Sequence, residues 1–230
     1  RIAGIQVVAA LDLDTARPAA ALAADGIAHR RCDGAAAIRA AQAAGELVLT
    51  ESMEDLLAAG PLDVVVEATG HPEAAARHAL AAIAAGVNVA MVSKEAECVV
   101  GPLLAAKARA AGLCWTLVEG DQPALLVSLI SWARTLGLPV VAAGKSSEYD
   151  FVFDPATGRT TWLGESVDSP ALHGFWDGAP DLAARAQALA ALPLRTVPDF
   201  CEMALVANAT GLLPSRPDFH APLARTTELP

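Results

Sequence analysis

Residues 63–97 read DVVVEATGHPEAAARHALAAIAAGVNVAMVSKEAE, and the fold turns on them. The apolar run over 63–68 has the continuous β-branched character of a strand covered on both faces. Pro72 suits the first position of a helix reaching residue 85, and Gly86 closes it. A second apolar run over 87–92 restores the strand pattern. Strand, helix and strand within about 30 residues make a βαβ unit, whose two strands lie parallel.

Outward from this unit the same rhythm continues. Upstream, 5–11 reads as a strand and 15–24 as a helix. Asp33 is placed to cap a helix over 35–44 that Gly45 ends, and a short strand covers 47–49. Ser52 caps a further helix that stops at Gly60-Pro61. Downstream, Pro102 opens a helix to residue 111, and 114–118 is a strand. Alternating strands and alanine-rich helices predict an α/β chain with a doubly wound parallel sheet. After Asp121 the rhythm changes, which sets a domain boundary near residue 122. Beyond it the pattern predicts a helix over 123–136 and a strand over 139–143. A hairpin over 150–163 turns at Pro155-Ala156-Thr157-Gly158, and helices follow over 181–192 and 198–209. The Pro-rich segment 214–230 lacks periodicity and reads as an extended arm or linker.

Composition limits the function classes. The 230 residues are 54% hydrophobic and 18% charged, which excludes a disordered chain. The longest uncharged run, 78–93, is broken by Gly86 and carries His78 and Asn88, so no membrane span is expected. With 26 acidic against 16 basic residues, a phosphate-binding nucleic-acid surface is disfavoured. Cys32, Cys98, Cys114 and Cys201 are scattered without a C-x-x-C pair, predicting reduced thiols in a cytoplasmic setting and no zinc site. The chain opens at Arg1 without a signal-peptide pattern, so it is expected to begin inside a longer protein.

Parallel sheets bind ligands outside the carboxyl ends of their strands, so the residues following each strand are the candidates. Asp12 follows the first strand, where a carboxylate accepts both hydroxyls of an adenosine ribose and favours NAD over NADP. The competing reading is a helix cap, which suits Asp14 better. Ala68, Thr69, Gly70 and His71 form a small-residue turn that leaves room for a nicotinamide ribose beside a helix N-terminus. The same turn is also what tight strand-to-helix packing needs. The basic residues comprise 13 arginines and only three lysines. Two of these, Lys94 and Lys145, follow predicted strands, where an ammonium anchors an anion or polarises a carbonyl. Lys107 lies mid-helix and reads as solvated. Glu95, Glu119 and Asp121 offer carboxylates for substrate, with ion pairing and capping as the plainer roles. Glu202 sits in an otherwise apolar helix and is read as facing a lysine. Asn208-Ala209-Thr210 matches a glycosylation sequon and is read as a coincidence.

Three joined motifs resemble one family: residues 63–97, VEGDQPALLVSLISWARTLGLPVVAAGK over 118–145, and EMALVANATGLLP over 202–214. They are similar to the homoserine-dehydrogenase-like oxidoreductases that carry a C-terminal SAF domain, a group that includes deoxyxylulose-phosphate-reductoisomerase-like enzymes. The resemblance covers 45–145 and 198–214, and residues 146–197 match poorly. It implies an NAD(P)-binding Rossmann domain over 1–122 that lacks its first strand and glycine-rich loop. An α/β substrate and dimerisation domain would follow over 123–213, with the SAF domain beyond residue 230. Ser93-Lys94 resembles the family's Asn-Lys pair near the nicotinamide, with Ser in place of Asn. Lys145 matches the group's own AAGK motif.

The expectation is therefore an NAD(P)-dependent oxidoreductase acting on CH–OH groups of a small anionic hydroxy or carbonyl compound, working as a homodimer or higher homo-oligomer. Asp12, Ala68, Thr69, Gly70, His71 and Ser93 would bind cofactor, and Lys94 and Lys145 would be catalytic. Glu95, Glu119 and Asp121 would contact substrate, with no metal. A reductoisomerase is the nearest alternative, and a non-catalytic nucleotide-binding or regulatory protein is another. A methyltransferase also places an acid after its second strand, but the lysines at strand ends argue against it.

Overall fold

A computed structural model describes residues 3–118, 120–147, 150–175, 181–188, 190, 192 and 197–228. The chain divides into two compact units. The first comprises residues 1–96 and 103–117, and the second residues 97–102 and 118–230.

The first unit alternates strand and helix throughout. Its elements are β1 (Ala9–Leu11), α1 (Ala16–Ala24), β2 (His29–Arg31), α2 (Ala35–Ala43), β3 (Leu47–Thr50) and α3 (Met53–Ala59). They continue with β4 (Val64–Glu67), α4 (Pro72–Ala84), β5 (Asn88–Met91), α5 (Lys94–Ala110), of which residues 97–102 belong to the second unit, and β6 (Trp115–Leu117). The strands form two three-stranded sheets, in the orders β1-β3-β2 and β4-β5-β6. Every pair is parallel, with Ala9 opposite Val48 and Val64 opposite Asn88. The carboxyl ends within each sheet therefore share one side.

Alanine does the packing here. In α4, Ala75, Ala79 and Ala82 are fully buried at i, i+4 and i+7, a stripe that lets the helix lie close to its neighbours. Around β3, the core gathers Cys32, Ile38, Ala41, Val48, Leu56 and Ala59. Ser52 caps α3 by accepting from Asp55 N at 3.1 Å. At the opposite ends of the strands, Asn88 ties three chain segments together. Its Nδ2 donates to Asp63 O at 2.7 Å, and its Oδ1 accepts from Cys114 N at 2.9 Å.

Several local expectations change. Asp33 does not cap α2; Gly34 holds that position at φ +82°, a conformation suited to glycine. Nor is β4 covered on both faces. Val64 and Val66, two apart and so on one face, are 48% and 60% exposed. Among the described residues β4 pairs only with β5, and an edge strand has one flank less to hide behind. The helix expected from Pro102 instead begins at Lys94 and runs through the proline. Pro102 cannot donate to the Cys98 carbonyl one turn back, and Asn208 Nδ2 donates to that oxygen at 3.0 Å in its place.

The second unit contains α6 (Gln122–Thr135), β7 (Val152–Asp154), β8 (Arg159–Trp162), β9 (Glu165–Asp168), a 3-10 turn at Pro170–Gly174, α7 (Leu182–Ala188) and α8 (Val197–Thr210). Helices α6 and α8 pack together, and β7-β8-β9 is an antiparallel meander. Its core joins Leu172 and Leu192 with Phe151, Phe153, Trp162, Val167, Phe175 and Leu223. The predicted hairpin is present, and β9 extends it by a strand. The strand expected over 139–143 does not form, and Val141 there is 95% exposed. Pro139 lacks a donor, and no described strand pairs with the segment. The arm after Pro214 is partly docked. Buried Arg185 on α7 binds Glu228 through both guanidinium ends, at 2.6 and 2.8 Å, and also donates to Phe175 O and Leu223 O.

Candidate functional site

In the first unit the candidates gather at the carboxyl ends of the strands. Asp12 follows β1 and is exposed, with one carboxylate oxygen accepting from Asp14 N at 3.0 Å. Asp14 in turn accepts from Ala16 N at the start of α1, the capping role its position suggests.

Glu67 ends β4 and organises the next turn. Its side chain is 1% exposed, and Oε1 accepts from Thr69 N at 3.3 Å with His78 Nδ1 at 3.4 Å. Its backbone carbonyl accepts from Val92 N and Ser93 N, tying the ends of β4 and β5 together. Buried Ser93 accepts from Gly70 N at 2.9 Å, which joins the 68–71 turn to the end of β5. Gly70 sits at φ +66°, and a Cβ built there would meet nothing within 4 Å. Backbone conformation requires glycine at this point, while the space above it stays open. His71 caps α4, its Nδ1 accepting from Ala74 N at 3.4 Å, so the proton of the neutral ring lies on Nε2.

The fit to a dinucleotide rests on Glu67. Its Oε2 is buried and accepts no hydrogen bond among the described residues. Such an atom is costly to bury and calls for a donor that the protein itself does not supply. An open glycine turn, a helix N-terminus and an unsatisfied acceptor at one set of parallel strand ends suit a ribose or a carboxamide.

Lys94 is the first residue of α5 and Glu95 the second. A cation at that position opposes the helix dipole, so helix stability does not explain it. Asp121 caps α6, accepting from Gln122 N at 2.9 Å. Glu119 lies outside the described residues.

The second unit holds a compact charged cluster that sequence reading found only in part. Lys145 Nζ stands 2.6 Å from Glu202 Oε2 and 2.9 Å from Asp199 Oδ1, and Ser147 Oγ donates to Asp199 Oδ2 at 2.7 Å. The lysine side chain is 6% exposed and that of Glu202 1%. Burial works to lower the ammonium's pKa, but pairing with Glu202 and then Asp199 outweighs it, and Lys145 is held above its ordinary value. It is thus a fixed cation rather than a base. Two of its three N–H donors face carboxylates among the described residues, which leaves one for an incoming oxygen. Lys145 does not follow a strand as expected; it lies within an irregular segment. The Glu202 reading, that it faces a lysine, matches the geometry. Asp199 and Ser147 were missed. Asp199 stands three residues before Glu202 on one helix face, a spacing that could have paired them. Among the described residues, no group of three or more His, Cys, Asp or Glu side chains could hold a metal ion. No helix there is long and apolar enough to cross a membrane.

A parallel α/β unit with its polar turns at the strand ends is a dinucleotide-binding domain of Rossmann type. Residues 3–117, half the chain, match the family model of the homoserine dehydrogenase NAD-binding domain, and the chain belongs to that family. Residues 120–190 match the catalytic domain of oxidoreductase DRL. No curated protein matches the chain. The cofactor is NAD(P), and the chain is a homoserine-dehydrogenase-like, NAD(P)-dependent oxidoreductase.

Proposed function

We propose that the chain exchanges hydride between NAD(P) and a small anionic compound at a CH–OH or carbonyl carbon, as a cytoplasmic member of the SAF-domain-containing group. The observation that carries this reading is the buried Lys145, held as an ammonium by Glu202 and Asp199 within a segment matching an oxidoreductase catalytic domain. The three joined motifs support the group, and the four cysteines carry no disulfide.

Asp12 would hold the adenosine ribose through its hydroxyls, which favours NAD. Ala68, Thr69, Gly70, His71 and Ser93 would line the nicotinamide side, with Glu67 Oε2 as the acceptor for a cofactor N–H or O–H. When bound, NAD(P) supplies the hydride acceptor or donor. Lys145 would donate its remaining N–H to the substrate oxygen and stabilise the negative charge that grows there. Asp199 and Glu202 keep that ammonium protonated and fixed in place. Lys94 would attract the substrate's anionic group, with Glu95, Glu119 and Asp121 as candidate partners for its hydroxyls. Neither a nucleic acid nor a membrane enters the reading.

Fluorescence titration with NADH and NADPH tests the cofactor half, NADH binding being expected to be the tighter. A panel of short hydroxy acids and their oxo counterparts, followed by nicotinamide absorbance, tests the reaction. Lys145→Met should lower turnover by about 10³ while cofactor affinity stays within severalfold. Unchanged turnover would remove Lys145 from the mechanism.

A further inference from the structure

Helix α4 is mostly alanine and carries three polar side chains, Glu73, Arg77 and His78. Glu73 and Arg77 pair with each other one turn apart and are well exposed, so they belong to the solvent face. His78 differs. It shares the inner side of the helix with the buried Ala75, Ala79 and Ala82, and its side chain is only 22% exposed. Its Nδ1 stands 3.4 Å from Glu67 Oε1 at the end of β4. A carboxylate accepts only, so Nδ1 is the donor and the proton of the neutral ring lies there. His71, whose Nδ1 accepts, holds the opposite tautomer at the start of the same helix. Alanine suffices to pack the rest of this face, so packing alone does not account for an imidazole with one nitrogen committed to a buried acid.

We infer that His78 is a positioning residue for the dinucleotide: acting through Glu67, it sets the 68–71 turn against which the nicotinamide ribose would lie. The inference rests on the NAD(P) reading of these strand ends. Glu67 Oε1 is shared between His78 Nδ1 and Thr69 N, the latter at 3.3 Å, so the side chain that fixes the carboxylate also fixes where the turn begins. The turn's next amide is held from β5, Gly70 N donating to Ser93 Oγ at 2.9 Å while Ser93 N donates to Glu67 O. Both amides are thus oriented by groups gathered at Glu67. Among the described residues His78 is the only side chain that donates to this carboxylate, and Oε2 accepts from none. Without His78 the buried acid keeps a single backbone donor, Thr69 N, and is free to turn towards others, drawing Thr69 with it. NADH and NADPH differ only at the adenosine ribose, so both lose affinity by the same factor when the turn shifts.

Fluorescence titration of the full chain with NADH and with NADPH, across three substitutions, tests the inference. His78→Leu fills the space without a donor and should weaken both dinucleotides by about tenfold or more. His78→Asn places an amide N–H near the position of Nδ1 and should restore most of that affinity. His78→Gln carries its amide out to the position of Nε2 and should not. A packing role predicts the reverse order, because leucine is closer in volume to histidine and a better helix former than asparagine. Long-range proton–nitrogen NMR spectra of the wild-type histidine rings give a reading that no folding defect can mimic. In the neutral rings the proton should lie on Nδ1 of His78 and on Nε2 of His71. A wild type that binds neither dinucleotide would remove the cofactor reading, and this inference with it. Three results would overturn the positioning role and leave the cofactor reading standing, provided the wild type binds. They are full affinity in His78→Leu, no recovery in a His78→Asn variant of unchanged melting temperature, and a His78 proton on Nε2.

Discussion

The two units stabilise themselves by different means. In the first, stability is spread over many small contacts: fully buried alanines on α4, short parallel strands, and a core of six modest side chains around β3. Its arginine–carboxylate pairs Arg30 with Glu46 and Arg31 with Glu51 are partly or well exposed, where such pairs contribute little, and Glu67 beside His78 is its one enclosed carboxylate among those described above. In the second unit, charge is buried. Lys145, Glu202 and Arg185 are almost fully enclosed, and each holds together segments far apart in sequence. Spread packing tolerates loss of any one contact, whereas a buried ion cluster fails when one member is removed.

That contrast can be broken by experiment. Glu202→Gln should have the largest effect on stability, about 3 kcal/mol, because it leaves the buried Lys145 with one carboxylate fewer. Thermal unfolding followed by far-ultraviolet circular dichroism measures it, and a loss below about 1 kcal/mol would show that the cluster is not a stabilising centre. In the first unit, Ala79→Leu on α4 should cost about 2 kcal/mol through overpacking, since Ala79 has no exposed surface. A neutral result in denaturant titration would mean that α4 does not press on its neighbours. Ser52→Ala removes the cap of α3 and should cost about 1 kcal/mol by the same titration.

The last test reads the acid side of the pH scale. The hydrogen bond from Arg185, with a further one from Arg225 N, lowers the Glu228 pKa from 4.5 to about 2. A carboxylate with a depressed folded-state pKa stabilises the protein above its unfolded value and loses that contribution as pH falls. Stability from this pair is therefore complete above about pH 4.5 and drains away towards pH 2. Melting temperature recorded across that window should fall less steeply in Glu228→Gln than in the wild type. Equal slopes would mean that the arm is not held through this carboxylate.

The same contrast decides how much could be read from the sequence. Local rules wrote the first unit. Continuous apolar runs, Ser52 at a helix start and Gly86 at a helix end each act over a few residues, so the strand–helix rhythm was legible. The failures are places where a distant residue decides. Pro102 has the look of a helix start, yet α5 runs through it because Asn208, 106 positions later (208 − 102), satisfies the carbonyl that the proline orphans. Residues 139–143 have strand composition but no partner strand among the described residues. The sequence marks Lys145 only by its place after that segment; what marks it in the structure is Asp199 and Glu202, more than fifty residues on. Glu67 carries no sequence signal of its own, because a buried carboxylate at the end of a strand leaves no periodic signature.

The bond between Asn208 and Cys98 also bears on covalent modification. Asn208-Ala209-Thr210 meets the sequence rule for N-glycosylation, yet it is wound into the last turn of α8. Its amide nitrogen is spent on the Cys98 carbonyl, and the Thr210 hydroxyl is spent on Val206 O at 2.7 Å. A transferase would need both groups released and the helix end unwound. Folded chain passing through a secretory host should leave this asparagine unmodified, and a glycan found there would report that attachment preceded folding.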